Sequence, residues 1–521
     1  MKKILILLTI ILLINFMFTV SSSANTIKSN KMVNQTIGDD NDPLVDLFVT
    51  VEIKQIRTLE KTDLGFNPID KIDSFSDPDF YVKVFINDEI FTSPIWYDTK
   101  YVYDPQWSAT ANIPDEEEIV NITIQLWDDE PTGDRLCDIS DNYGNFDDTY
   151  DIDLQYNLKT GNWNGDDWLP GFWGGFDPSG YGRLNGCDDN SYYQNDRDCE
   201  MIFDIYQNDF DNDHIPYWTE VNAFKTDPTV DNTGEDFDND GVPIEWEWKW
   251  GYFPSIDWEN FTWIHDWKYD PFIWEDHKTL DDDKDGIQNI EEYLMSDWDS
   301  DPFRKDLFIE LDQMEAGPNG EPASLLPERS KELLLTAYNK HNIVYHLDDG
   351  SKLQSGSDMI PYDEETTMDW FSSNNEMDKI YNDYFLHGNP NNWRRGVFHY
   401  GVLIHGSSSA AGAAFGSNRF YITSRGHEKK SESIWLDRDI IYASAYMHET
   451  GHTLDISNPG VDDQNSKFPY QLNWWKWRPY RSVMNYGYMY KMVDYSDGSR
   501  GKNDFNDWNS MDLTAFEKDF P

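Results

Sequence analysis

The sequence predicts a multidomain chain: an all-β sandwich, a segment of repeated acidic loops, and a C-terminal α/β domain. Three observations carry this reading. Runs of alternating or β-branched residues, separated by acidic turns, occupy the chain up to about residue 206. Three Asp-x-Asp-x-Asp loops follow between residues 209 and 292. Beyond residue 304, strands and helices alternate and close on a helix that carries two histidines four residues apart. The expected divisions are 1–24, 25–43, 44–206, 207–303 and 304–521.

The first division reads as a signal peptide. Lys2 and Lys3 precede an apolar run from residue 4 to 20, and Ser21-Ser22-Ser23-Ala24 supplies small residues for a cut after Ala24. An uncleaved anchor is the alternative. Residues 25–43 read as a linker. No later stretch approaches the roughly 20 apolar residues of a spanning helix, so no membrane span is expected in the mature chain. The expected location is secreted, extracellular or at the cell surface. A formal net charge of −56, from 97 acidic and 41 basic residues, argues against nucleic acid as a partner, since phosphate binding needs basic patches. Aromatic residues make up 16% of the chain, which favours packed cores over an acidic disordered tail.

In the second region, residues 44–56, 80–86 and 120–127 read as strands. Ser76-Asp77-Pro78-Asp79-Phe80-Tyr81-Val82 and Leu126-Trp127-Asp128-Asp129-Glu130, with Pro105-Gln106-Trp107 between them, resemble the calcium loops of the C2 β-sandwich family. The resemblance implies Asp77, Asp128 and Asp129 as calcium ligands. The first loop departs from the family pattern by the extra Asp79-Phe80. A plain sandwich with solvated acidic loops is the alternative. No evident basic patch supports the family's lipid binding.

The acidic loops align with one another. Asp209, Asp211, Asp213 and Glu220 stand at positions 1, 3, 5 and 12 of a calcium loop, as do Asp236, Asp238, Asp240 and Glu247, and Asp281, Asp283, Asp285 and Glu292. Gly241 and Gly286 fill position 6, where the turn is sharp, while the first loop has His214 there. Ile215, Val242 and Ile287 fill position 7, whose carbonyl is the ligand and whose side chain packs inward. The cofactor expected here is Ca2+. The loops resemble thrombospondin type-three, dockerin-like and EF-hand-like repeats, punctuated by Asp227-Pro228 and Asp301-Pro302. The aromatic insert from residue 246 to 274 is expected to pack over the second and third loops.

The last region carries the chemistry. His448-Glu449-Thr450-Gly451-His452 follows a run from Asp439 to Met447 that holds no Gly or Pro. On a helix, positions i and i+4 share a face, so both imidazoles can reach one metal. Glu449 then stands beside it as general base. Ser482-Val483-Met484-Asn485-Tyr486, 30 residues beyond His452, resembles the Met-turn of the metzincin metallopeptidases. The order of strands and helices from residue 305 is also similar to that family, as found in secreted archaeal and bacterial proteins. The resemblance implies a metzincin-like zinc domain over about residues 305–521, with Met484 beneath the metal and Tyr486 steadying the transition state. It also implies an edge strand that pairs with substrate, expected in the region 415–424, with a plain core hairpin as the alternative there.

The match breaks after the second histidine. Asp455 stands where the family has Gly, and Asn458 stands where it has the third ligand. Asp462 is the favoured third ligand. Asn458 with water, and a degenerate site that holds metal weakly, remain alternatives. The resulting expectation is a secreted zinc-dependent endopeptidase acting on protein or peptide substrates and braced by calcium, with a cell-surface component as a further partner. The competing reading is a calcium-dependent surface or adhesion protein on a retired protease scaffold. Of the three cysteines, Cys187 and Cys199 would close the shortest disulfide loop, leaving Cys137 unpaired.

Overall fold

The structure is a computed structural model that describes residues 47–58, 77–114, 117–131, 133–140, 150–158, 161–166, 182–186, 197–257, 262–339, 341–350, 355–368, 375–432 and 436–516. The expected signal peptide and linker, and Cys187, lie outside the described residues. Within them, the first ten strands form two antiparallel sheets. One sheet orders β4 (Tyr101–Ile113), β1 (Leu47–Thr58), β10 (Cys199–Gln207) and β9 (Gly182–Asn185). The other orders β3 (Glu89–Thr92), β2 (Phe80–Ile86), β5 (Ile119–Asp128), β7 (Ile152–Asn157) and β8 (Asn162–Gly165), with β6 (Arg135–Cys137) on β5.

Period-two alternation explains why the sheets face each other. Val49, Val51 and Ile53 of β1 and Val82 and Val84 of β2 enter one shared core with Ile122, Ile124, Met201 and Phe203. Each large aliphatic side chain buried in this way contributes about 1.5–3 kcal/mol. The Pro105-Gln106-Trp107 stretch forms a bulge in β4: Gln106 has φ 52° and the pairing with β1 shifts between Ile53 and Gln55. Cys137 and Cys199 are both buried free thiols, and they face each other.

The loop segment runs from the end of β10 to β13 (Lys305–Met314). Its three loops have one backbone design. Asn212, Asn239 and Lys284 at position 4, and His214, Gly241 and Gly286 at position 6, all have positive φ. His214 takes this left-handed turn at φ 71° despite its side chain. Ile215, Val242 and Ile287 at position 7 are buried. The aromatic insert forms the Ile244–Gly251 helix and a hairpin of β11 (Tyr252–Asp257) and β12 (Thr262–Trp267). Trp246, Trp250 and Tyr269 make a small core with Val242 of the second loop and with Leu280 and Tyr293 flanking the third.

The C-terminal region is built on a mixed sheet of order β14 (Ile343–Asp348), β13, β16 (Phe398–Ile404), β18 (Arg419–Thr423) and β17 (Gly412–Ala414), with β15 (Met359–Ile360) also on β13. β13, β14, β16 and β18 are parallel, and β17 is antiparallel. Leu307, Ile309 and Leu311 pack one face against Leu334 and Tyr338 of the Glu328–Asn339 helix and Tyr446 and Met447 of the Arg438–Thr453 helix. Phe308, Tyr400 and Val402 pack the other face against Met377, Tyr381 and Phe385.

Candidate metal centres

The Arg438–Thr453 helix begins at Asp437, whose carboxylate accepts from the amides of Asp439 (2.9 Å) and Ile440 (3.3 Å). Its apolar side is held in the core, which aims one face with His448, Glu449 and His452 toward the Met484 turn. The helix ends at Leu454, and Asp455 turns the chain with φ 54°. Thus Asp455 adopts the left-handed conformation that usually selects glycine. The chain then returns Asp462, itself at φ 55°, to the two imidazoles.

His448 Nε2 lies 3.1 Å from Asp462 Oδ1, and His452 Nε2 lies 3.2 Å from Oδ2. Ligands about 2.0–2.1 Å from a tetrahedral zinc are roughly 3.3 Å apart, so these separations suit three ligands of one ion. Asp462 Oδ1 is buried and makes no hydrogen bond, which leaves it a lone pair for a cation. His448 Nδ1–H donates to the Val483 carbonyl at 2.9 Å, which fixes the tautomer with Nε2 free. The Asp462 amide donates to the Met484 carbonyl at 3.3 Å. One turn therefore orients two of the three residues.

The electrostatics are consistent with that arrangement. Burial acts to raise the Asp462 carboxyl, but the two imidazoles outweigh it and hold it well below the usual range. Burial acts to lower His448, and Asp462 and Glu449 together leave it raised. Glu449 is raised, chiefly by burial, and accepts a hydrogen bond from the Ala414 backbone. Tyr486 stacks on His448 at 5.6 Å, and its hydroxyl meets Asp462. Burial and Asp462 hold this phenol far above its ordinary value, so it keeps its proton.

Other residues of the sequence reading lie elsewhere. The Asn458 amide donates to Asp507 at 2.7 Å and to Ser510 at 3.1 Å, so its hydrogen bonds are structural. Asp463 binds the Asn465 amide, the Asn473 side chain and the Trp477 indole. The expected edge strand needs correction. β18, within the region 415–424, lies between β16 and β17, because the small-residue segment 412–414 folds back antiparallel and covers it. β17 is the edge, and it lies over Glu449: a Cβ on Gly412 would stand 2.5 Å from Glu449 Oε1. The run of Gly, Ser and Ala from 406 to 414 is the sequence signal for this close approach.

The three acidic loops share their wiring. Position-6 amides of His214, Gly241 and Gly286 donate to Asp209, Asp236 and Asp281 at 2.5, 3.1 and 3.2 Å. Position-7 amides of Ile215, Val242 and Ile287 donate to Oδ1 of Asp213, Asp240 and Asp285 at 2.9, 3.2 and 2.8 Å. Oδ2 of the same three aspartates accepts from the amides of Asn232, Glu275 and Asp306 at 3.3, 3.3 and 2.7 Å. Sequence reasoning missed these three residues, although each stands five places after an Asp-Pro aspartate: Asp227, Asp270 or Asp301.

The carboxylates of each loop converge on one another. Burial, reinforced by neighbouring aspartates, pushes Glu220 up to about 8 and Glu247 to about 10. Burial likewise raises Asp211 and Asp238 to about 6, and lifts Asp283, Asp285 and Glu292. Both oxygens of Glu247 and of Asp211 are buried without a hydrogen bond. These acidic clusters have the donor set for a metal, and hard oxygen ligands at this spacing suit calcium.

The sandwich site is different. Asp128 is buried, and its carboxylate accepts from the Asp79 amide at 3.0 Å and from Arg135 at 2.6 Å. The Asp77 amide donates to Asp98, and Asp77 Oδ1 lies 3.7 Å from Lys100. Asp129 is raised, with burial and Asp134 as the first causes. Protein cations thus already meet two of the three residues expected to bind calcium.

No family model matches the chain, and no curated protein matches it. Solved structures similar to part of it include a C2 domain (10% identity, TM-score 0.18, 30% of this chain and 97% of that one). A C2 domain protein from Ramazzottius varieornatus is similar at 10% identity and TM-score 0.19, over 31% of this chain and 88% of that one. A human GIVD cytosolic phospholipase A2 in complex with methyl gamma-linolenyl fluorophosphonate is similar at 15% identity and TM-score 0.18, over 31% of this chain. The chain spans only 17% of that phospholipase's length. Likenesses this slight carry no functional argument. Among the described residues, no helix is long and apolar enough to cross a membrane.

Proposed function

We propose that the chain is an exported, zinc-dependent endopeptidase whose loop segment is braced by calcium. The observation that carries this reading is the meeting of His448, His452 and Asp462 beside Glu449, above the Val483-Met484 carbonyls. A zinc ion held by those three side chains supplies Lewis acidity to the scissile carbonyl and to the attacking water. Glu449, buried and held by Ala414, takes the proton of that water and passes it to the leaving amine. Tyr486, kept protonated, donates to the oxyanion. An extended substrate pairs with the free side of β17, which brings its scissile bond over Glu449.

Cleavage of a mixed peptide library by the purified chain, with calcium and zinc present, tests the reading beside Glu449→Gln. Cleavage that disappears in the variant, with zinc content unchanged, supports it. Absence of cleavage by both proteins overturns it and leaves the calcium-dependent binding protein.

A further inference from the structure

The second acidic loop differs from the other two in what closes it. In the first loop the donors grouped around the aspartates are all carboxylate oxygens. In the second, Asp240 and Glu247 are joined by Glu275 and His277, which arrive from beyond the β11–β12 hairpin. One donor atom from each of the four lies within 4.8 Å of the others. Asp240 also belongs to a separate cluster with Asp236 and Asp238, so it stands between two groups of ligands.

His277 is fully buried, and its Nε2 makes no hydrogen bond. That nitrogen lies 3.1 Å from Asp240 Oδ2 and 3.8 Å from Glu247 Oε1. Both oxygens of the fully buried Glu247, and Glu275 Oε2, likewise have no hydrogen-bond partner. Four buried polar atoms gathered in one cluster without hydrogen-bond partners are costly unless something lies between them. The imidazole is also fixed in place, with the Trp246 and Tyr269 rings edge-on at 5.6 and 5.1 Å. The Asn289 amide lies 3.0 Å from Nδ1, and its Oδ1 is buried without a partner. A half-turn of that amide lets Oδ1 accept from Nδ1–H, which leaves the Nε2 lone pair directed at the carboxylates.

We propose that Asp240, Glu247, Glu275 and His277 bind a first-row divalent transition ion of the zinc or manganese class, so that Glu247 serves this ion in place of its position-12 calcium role and Asp240 stands between it and the calcium ligands Asp236 and Asp238. Calcium selects oxygen ligands, and an imidazole among carboxylates shifts preference to a transition ion. Three carboxylates and one neutral imidazole offset a doubly charged ion and satisfy every orphaned donor of the cluster. The inference does not depend on the peptidase reading.

The test uses the full chain with His448→Ala and His452→Ala, so that the histidine pair of the other centre is absent. Mn2+ is titrated in excess calcium and followed by electron paramagnetic resonance. The expected result is one bound Mn2+ per chain with nitrogen hyperfine coupling. Adding His277→Gln should remove the coupling and weaken binding by at least about tenfold. No bound Mn2+, or bound Mn2+ without nitrogen coupling, overturns the proposal. If His277→Gln fails to fold, the coupling in the parent variant still decides. Wild-type protein separates the two readings: a second transition ion there belongs to His448 and His452, and its absence touches only the peptidase.

Discussion

Replacing Glu220 by glutamine is expected to stabilise the calcium-free protein and to blunt its response to calcium. Glu220 is 1% exposed and shares the first loop with Asp209, Asp211 and Asp213. Burial first, then Asp213, raises it from 4.5 to about 8. At about 1.4 kcal/mol per pH unit, its ionised form opposes folding by on the order of 5 kcal/mol. Glutamine removes that charge but brings an amide whose own burial costs about 1–3 kcal/mol, so the net gain once Glu220 is ionised is about 3 kcal/mol. The sign with pH follows from proton counting. The native state holds the Glu220 proton after the unfolded state has released it, so wild-type stability without calcium falls as pH rises from 4.5 toward about 8, then levels off. The advantage of Glu220→Gln grows over the same window. With calcium in excess the order reverses, because the amide cannot neutralise the ion. Thermal melts at about pH 6 and pH 9, in chelator and in calcium, measure all four quantities. A variant that melts below wild type in chelator at the higher pH would refute the reasoning, as would an equal calcium gain in both proteins.

The remaining predictions concern the histidine centre. Asp462→Ala should lower zinc affinity at least about tenfold and abolish cleavage, while Asn458→Ala should leave zinc content unchanged; mass-spectrometric metal analysis of both variants checks this. Gly412→Val should keep zinc but depress kcat/KM, because its Cβ would meet Glu449 Oε1 at 2.5 Å; kinetics on one cleaved peptide read it. Gly451→Ala should destabilise by about 1–3 kcal/mol, since its Cβ would stand 2.6 Å from Met484 Sδ and 3.0 Å from the Tyr495 hydroxyl; denaturant melts give the value.

Much of the secondary structure was legible because its period was strong. The alternation of strands and helices expected from residue 305 opens with the Lys305–Met314 strand and the Glu328–Asn339 helix. The calcium-loop spacing was equally legible, since four acids at fixed positions leave little freedom in their arrangement. What sequence could not supply was any contact made by backbone groups at long range. Asn232, Glu275 and Asp306 act on the loops through their amides, so their side-chain types alone did not mark them. His277 stands 30 residues beyond Glu247, with a hairpin between, and no local motif ties the two together. The edge strand was misplaced for a related reason. Gly412-Ala413-Ala414 has weak strand propensity, and only its antiparallel pairing with β18 makes it a strand.

The downstream amides also connect the loops to the sheet that carries the histidine helix. Each repeat opens its second half with an Asx turn at Asp-Pro, in which Asp227, Asp270 and Asp301 accept from Thr229, Phe272 and Phe303 at 3.2, 3.0 and 3.0 Å. That turn delivers the residue whose amide reaches position 5 of the loop. In the third repeat the delivered residue is Asp306, the second residue of β13. Its side chain contacts His346 Nε2 of β14 at 2.5 Å and Ser300 at 3.0 Å. Asp285, Glu292 and Asp306 therefore bury three mutually repelling carboxyls at the root of the sheet, each raised chiefly by burial. Without a cation, repulsion acts on the first residues of β13, the strand that pairs β14 on one side and β16 on the other. A cation in the third loop relieves that repulsion at its source. The calcium-induced rise in melting temperature should consequently fall more for Asp285→Asn than for Asp213→Asn, because among the described residues only the third loop is hydrogen-bonded directly to the sheet that carries the histidine helix.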